Sequence, residues 1–401
     1  MLDVVATIRG FNEGRDPERL AMKYRNLSTN PFVFLRGTCH LFYERLPNDK
    51  LFRKAPLVWS CGDLHLENFG SYKGFNRLVY FDLNDFDEAA LAPATWELVR
   101  MLASVLVAAE TLHATHGQAL RLCKTFVEAY GEALEGGKAR WIERETTKGL
   151  IRQLLDTLKL RSRAEHLDRR TDCKKRHRTI RVDGRKALPV SDAQRTKVAA
   201  LINEFASEQP NAGFFEVLDV ARRIAGNGSL GVERYVILVE GKGSPDGNYL
   251  LDLKQVHASS LERHLKVAQP KWESQAHRVV ALQRRMQAVS MAFLHPIVQR
   301  DSSYVLKGLQ PSEDRVTLDV KRTELAQIET VLQEMGRIVA WAQLRSAGRQ
   351  GSAIADELID FGASRSKWQP DLIEASQQAA RQVVADWQTY HAACEAGELK
   401  H

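Results

Sequence analysis

The chain has 401 residues, 44% of them hydrophobic and 27% charged, with a formal net charge of +7; this is ordinary for a globular protein and long enough for two lobes. The longest uncharged apolar run, 101–109 (MLASVLVAA), is about half of what a membrane-spanning helix needs. Cys39, Cys61, Cys123, Cys173 and Cys394 are scattered with no C-x-x-C pair, which argues against a disulfide framework or a zinc site and for reduced thiols.

The opening residues MLDVVATIRGFNEGRD lack a basic start followed by an apolar stretch, so no secretory signal is expected and the cytoplasm is the expected location. Residues 1–30 read as a polar, partly helical lead-in, and 32–46 (FVFLRGTCHLFYERL) as a helix. A short strand is predicted at 57–61 and a hairpin at 70–85, with its turn at Lys73-Gly74. Helices follow at 96–112, 117–134 and 139–160. The segment 159–186 holds 12 Lys and Arg against 4 Asp and Glu, so the excess charge is local and suggests an anionic contact, or else a solvated, flexible insert. After a helix at 191–207, residues 214–257 are rich in Gly, Val, Ile, Leu and Tyr, with turns at 226–231 and 243–248, and predict a small antiparallel sheet. Helical pattern resumes at 260–265 and 275–294, a further strand is expected at 303–309, and helices run from 323 to the end.

Two stretches carry chemistry. The first is CGDLHLENFG at 61–70, where Asp63 and Asn68 lie in a loop leaving a strand. At that spacing the Asp63 carboxylate suits acceptance of a hydroxyl proton, while the Asn68 amide oxygen suits a magnesium ion, which takes oxygen ligands. A second carboxylate is expected from FDLNDFDEAA, which offers several. An acidic surface loop is the plain alternative. His65 reads as a packing residue, and Arg36 as a steadying contact for the loop or for an acid nearby.

The second stretch is GNGSLG, with Gly226, Gly228, Ser229 and Gly231. A lone G-x-G-x-x-G is weak, but this one lies between two strand candidates, and the next strand, YLLDLKQV, carries Lys254. A dinucleotide-binding fingerprint would open a helix instead. A loop between strands whose amides cover phosphates, followed by a strand Lys, is the arrangement of kinase-like sites. An ammonium in an apolar strand needs an anionic partner; Glu262 is the nearest helical candidate, and an edge-strand Lys facing solvent is the alternative. Residues 304–315 (YVLKGLQPSEDR) are a candidate hinge for an adenine ring.

GDLHLEN followed by NDFDEAALAPATWELVRML resembles the corresponding blocks of aminoglycoside phosphotransferases and choline-kinase-like proteins. The resemblance implies Asp63 as the catalytic Asp, Asn68 and Asp85 as magnesium ligands, and Glu97 as a structural acid bonded to the catalytic loop. Leu66-Glu67 stand where that family has Pro-Gly, and the extra acids keep Asp82 and Asp87 as alternates for the metal. The glycine loop follows the catalytic loop here, the reverse of the usual order, so a circular permutation is implied. The layout also resembles a bacterial family, the domain-of-unknown-function 2252 proteins, through NPFVFLRG, CGDLHLENFG, YFDLNDFDEA, RRIAGNGSLGVERYVILVEG, LDLKQ and YVLKGLQPSEDR.

These readings imply an α+β, two-lobed, protein-kinase-like fold in permuted order. Residues 1–210 would form a helical catalytic lobe, 211–320 a sheet-rich nucleotide lobe, and 321–401 helices completing the first. ATP and Mg²⁺ would bind between the lobes for phosphate transfer to a hydroxyl-bearing substrate. Three alternatives stay open: AMP transfer on the same fold, a two-metal phosphohydrolase built on Asp63, His65, Asp82, Asp85 and Asp87, and a non-catalytic protein holding nucleic acid through 159–186.

Overall fold

The computed structural model describes residues 2–47, 49–159, 161–300, 302–309 and 315–399. Its described part is a mixed α+β structure of helices and small antiparallel sheets. The lead-in is more ordered than its polarity suggests. Asp3 caps α1 (Val4–Phe11), Asp16 caps α2 (Pro17–Leu27) with a Pro at its first turn, and Asn30 caps α3 (Pro31–Gly37); each side chain satisfies one of the first-turn amides that a helix leaves unbonded. The helix expected over 32–46 is two. Thr38 leaves helical geometry, donates its hydroxyl to Phe34 O at 2.7 Å, and separates α3 from α4 (Cys39–Glu44). The short α5 (Lys50–Lys54) follows.

Four strands then frame the first motif. β1 (Leu57–Ser60) pairs antiparallel with β4 (Ala90–Pro93), and β2 (Phe69–Lys73) with β3 (Val79–Leu83). α6 (Ala94–Val107) is buried nearly all round, as its predominantly apolar sequence requires, and it carries two buried charges, Glu97 and Arg100. It belongs to the large core together with α7 (His116–Glu135). Residues 139–148 are not the front half of a helix. Gly137 takes φ +62°, and the chain then runs along β3, with Phe81 N donating to Ile142 O at 3.0 Å. The helix α8 starts only at Gly149 and ends at Lys159.

The basic segment is folded where it is described. α9 (Arg163–Asp168) carries a Ser162/Glu165 capping box, and β5 (Thr171–Lys174) forms a hairpin with β6 (His177–Ile180). Next come β7 (Ala187–Leu188), α10 (Asp192–Ser207), β8 (Val217–Arg223), β9 (Arg234–Val239) and β10 (Tyr249–Val256). The helical pattern at 260–265 is a single 3-10 turn, Glu262–His264. α11 (Gln275–Met286) stops short of 294, because residues from Leu294 pair as a strand: β11 (Leu294–Gln299) lies against β12 (Ser302–Gly308). The chain ends in α12 (Leu325–Ser346), α13 (Ala355–Ala363) and α14 (Arg365–Glu395), which join the large core.

Six strands make one antiparallel sheet in the order β11-β12-β10-β9-β8-β7. Alternation along its strands gives the two faces different chemistry. Val220, Tyr235, Ile237, Leu251, Leu253, Tyr304 and Leu306 pack on Val198, Leu201, Ile202 and Phe205 of α10. The opposite face carries Arg223, Arg234, Asp252, Lys254 and Lys307, in register across β8, β9, β10 and β12. Its far end is covered by Leu167 and Ile180 of the basic segment, packed on Val236, Leu238 and Leu250. The charged part faces the helical body.

Candidate active site

The first wall begins where β1 ends. Gly62 sits at φ +82°, and a Cβ there would lie 2.1 Å from Glu88 O, so the loop can turn and touch the acidic run only with glycine at this place. Glu97, on α6, anchors the turn: it accepts hydrogen bonds from Ser60 Oγ at 2.8 Å, Cys61 N at 3.1 Å and Gln343 Nε2 at 2.7 Å. Burial pushes its carboxyl pKa up. One helical turn on, at the i+3 spacing that shares a face, Arg100 is fully buried and pairs with Asp63. Its Nε donates to Asp63 Oδ1 at 2.8 Å and its Nη2 also donates to Leu35 O at 2.9 Å. Both contacts to Asp63 fall on Oδ1, leaving Oδ2 for another partner. Burial raises the Asp63 pKa, with Arg100 opposing that rise.

Asn68 staples the loop to the acidic run. Its Nδ2 donates to Asp63 O at 3.0 Å and Asp85 O at 3.3 Å, and its Oδ1 accepts from Asp85 N at 2.8 Å. His65 is buried, accepts from Glu67 N at Nδ1 (3.1 Å), and is held neutral by burial and by Arg36, Arg100 and Arg315. Arg36 reaches Glu67 at 2.7 Å, and Arg315 pairs with the same carboxylate. The steadying contact expected of Arg36 is thus made to an acid inside the motif.

In the acidic run, Asp85 and Asp87 line the cleft and Asp82 does not. Asp82 accepts from Ala288 N at 3.0 Å and faces Arg345, so it is no alternate ligand. Burial opposes ionisation of Asp85, but Lys254 and then Lys307 outweigh it and bring its pKa below the ordinary carboxylate value. Arg278, buried on α11, ties the run to the end of β10 by donating to Asp87 O at 2.7 Å and His257 O at 2.9 Å.

The sheet forms the facing wall. Lys254 pairs with Asp87, and despite burial its pKa is raised by Asp85 and Asp87. The partner expected in Glu262 is not made. Glu262 lies on the 3-10 turn and outside the cleft lining, because the chain after β10 turns toward Glu88, whose carboxylate accepts from Ser260 N at 2.6 Å. Beside Lys254, Asp252 is fully buried and gripped by Arg234, whose Nε and Nη2 donate at 2.9 and 2.7 Å, and by Arg223. These two guanidiniums overcome burial and hold the Asp252 pKa far below the usual carboxylate range.

The glycine loop is gripped from behind by the N-terminal helices. Arg15 Nη1 donates to Gly228 O at 2.9 Å and Leu230 O at 3.2 Å, and Lys23 Nζ to Gly228 O at 2.9 Å. Burial lowers the pKa of Arg15 to about 10 and that of Lys23 well below its ordinary value. Gly231 takes φ +88°, and a Cβ would approach Arg15 Cβ to 2.9 Å. The loop's carbonyls are therefore engaged, while none of the amides of residues 226–231 donates to another described residue. Such free, clustered N–H groups are what an anion needs.

All of this opens on one cleft of about 680 Å³, lined by Asp63, Asn68 and Asp85 on one wall and by Gly226, Gly228, Ser229, Gly231 and Lys254 on the other. Among the described residues of the candidate hinge, Val305, Lys307 and Arg315 line the cleft; residues 310–314 lie outside the described residues. Among the described residues no three His, Cys, Asp or Glu side chains converge as a metal cage. One carboxylate and one amide oxygen, with the rest supplied by water and phosphate, is the way magnesium is usually held, and Asp85 and Asn68 fit that pattern. Arg100 was missed in the sequence, although its i+3 spacing from Glu97 on an apolar helix could have signalled it, and so were Asp252 and Lys307, although each is a charge in an apolar strand; nothing local signals Arg15 or Lys23 as parts of a site.

The chain matches the family described as "Uncharacterized protein conserved in bacteria (DUF2252)" over residues 15–393, and it belongs to that family. No curated protein and no solved structure matches it.

Proposed function

We propose that this member of the DUF2252 family is an ATP- and Mg²⁺-dependent phosphotransferase with a protein-kinase-like, circularly permuted architecture, acting on a hydroxyl-bearing substrate. The observation that carries the reading is the shared cleft: two motifs far apart in the chain supply acids on one wall and free loop amides with an ammonium on the other. Phosphoryl transfer demands little of a protein beyond in-line positioning and charge neutralisation.

In this reading the amides of residues 226–231 and Lys254 hold the phosphate chain, and Lys254 exchanges its bond to Asp87 for one to a phosphate oxygen. Asn68 and Asp85 would hold a magnesium ion, whose contribution would be to neutralise phosphate charge. Asp63 takes the hydroxyl proton on Oδ2 as the new O–P bond forms and the bridging O–P bond to ADP breaks. Burial makes Asp63 a stronger base than a surface carboxylate, and Arg100 holds it in place. Arg100, Glu97 and Arg278 are positioning residues.

The test combines a thermal-shift titration with ATP, with and without Mg²⁺, and mass spectrometry of acceptors incubated with ATP. The expected results are a Mg²⁺-dependent rise in Tm, its loss in Asp85→Asn, and gain of a phosphoryl group by the acceptor. No response to any nucleotide rejects the reading. Gain of an adenylyl group instead replaces it with AMP transfer.

A further inference from the structure

Lys307 is a cation that the fold does not need. It stands on β12 directly across from Asp252 of β10, on the charged face of the sheet and in the lining of the cleft. Among the described residues it makes no ion pair and its ammonium donates no hydrogen bond. Asp252, its cross-strand neighbour, is already taken by Arg223 and by a bidentate Arg234; Asp219, further along β8, accepts from Ile180 N and pairs with Arg195. Lys254 is taken by Asp87.

At the cleft end of this face Arg223, Arg234, Lys254 and Lys307 thus surround the single carboxylate of Asp252, and among the described residues Lys307 is the cation left without an ion pair. An unpaired, partly buried ammonium beside two like charges costs stability. Burial lowers its pKa, Asp252 opposes that fall, and Arg234 adds to it. The acid it acts on across the cleft is Asp85, the carboxylate assigned above to the metal. Once Asp85 spends its charge on a divalent cation, Lys254 and Lys307 both lose a counter-charge, and a ligand must bring several negative oxygens to restore it.

We infer that Lys307 and Lys254 form a two-ammonium clamp for a polyphosphate chain, so that the cleft recognises its ligand chiefly through phosphoryl oxygens. Resting on the nucleotide reading of the same cleft, the inference adds a residue and a ligand preference to it. Charge-assisted bonds of this kind are the strong ones in such sites. Inorganic tripolyphosphate should therefore bind with Mg²⁺ almost as ATP does, and adenosine should bind poorly.

The experiment measures binding of Mg²⁺-tripolyphosphate, Mg²⁺-ATP and adenosine to the wild-type chain, Lys307→Met and Lys307→Arg, by calorimetry alongside unliganded Tm. Lys307→Met should weaken tripolyphosphate and ATP by about tenfold or more, a loss of roughly 1.4 kcal/mol, and leave adenosine unchanged. Its unliganded Tm should hold or rise, since an unpaired cation is removed, and Lys307→Arg should recover most of the affinity. Undiminished tripolyphosphate binding by Lys307→Met overturns the clamp while leaving the nucleotide reading intact. A fall in unliganded Tm without an affinity change assigns Lys307 to structure and also overturns it. A wild-type chain that binds neither ATP nor tripolyphosphate overturns both.

Discussion

Arg100→Met asks whether the catalytic loop is held by charge or only by packing. Arg100 is fully buried, and its guanidinium bonds Asp63 and Leu35 O and lies 4.9 Å from the Phe42 ring centre. Methionine keeps much of the stem's packing but leaves Asp63 facing Asp85 without its ion-pair partner, with only the more weakly acting Arg36 to oppose the repulsion. Breaking one side of a buried ion pair typically costs about 3–5 kcal/mol, a large share of a domain's net stability. The abandoned acid can limit the loss by binding a proton. Asp63 is already raised above its ordinary pKa, and removing Arg100 raises it further. The folded state of Arg100→Met then holds a proton that the unfolded chain releases near pH 4, so its stability should fall as pH rises through the folded pKa of Asp63. Urea unfolding of Arg100→Met, Asp63→Asn and the double variant, each at pH 5.5 and 8, measures both effects. The double variant should recover at least ~1.5 kcal/mol relative to the sum of the singles, and the pH dependence should vanish with the carboxyl. Additivity within ~0.5 kcal/mol, or a single-variant cost below ~1 kcal/mol, would refute the argument.

Other consequences are simpler to read. Gly62→Ala must place a Cβ 2.1 Å from a backbone oxygen at φ +82°, so it should lower stability by about 2 kcal/mol or more and abolish any nucleotide-dependent Tm shift. Asp252→Asn strands two buried guanidiniums and should cost about 3–5 kcal/mol at pH 7. The wild-type carboxylate's folded pKa is depressed, so its contribution is complete above pH ~4 and drains away below it; unfolding curves should show the gap between the two proteins narrowing as pH drops below that point. At the tip of the β5–β6 hairpin, Lys175 and Arg176 take φ +47° and +67°, a pairing that suits Asn-Gly. The Lys175→Asn/Arg176→Gly variant should be more stable by about 0.5–1.5 kcal/mol, measured by urea unfolding. Lys23→Met removes a buried ammonium whose partners, Asn12 Oδ1 and Gly228 O, are neutral; Tm should hold or rise, while limited proteolysis within residues 226–231 should quicken.

The local grammar of this chain is written in neighbouring residues. Helix starts at Pro17, Pro31 and Ser191 follow from caps and first-turn preferences, β8, β9 and β10 from alternation, and the turns at Gly62 and 226–231 from glycine. Each depends on forces that act within a few residues. The sequence also displays Asp63, Asn68, Asp85 and Lys254, because a charged or amide side chain in an apolar setting advertises a task.

Partnership is another matter. Lys254 meets Asp87 and not the nearby Glu262, Asp82 turns to Arg345, and the polar lead-in supplies Arg15 and Lys23 to a loop some two hundred residues away. The stretch at 139–148 is not the front of a helix because β3 offers Ile142 and Glu143 a backbone partner, after which the chain makes only a 3-10 turn at Arg144–Thr146. Lys307 is a surplus charge only because sheet register sets it opposite an acid that two arginines have already claimed. Such pairings depend on how whole elements pack, and a Coulomb or hydrogen-bond partner is selected by distance in space. Sequence separation carries no information about that distance until the fold has closed.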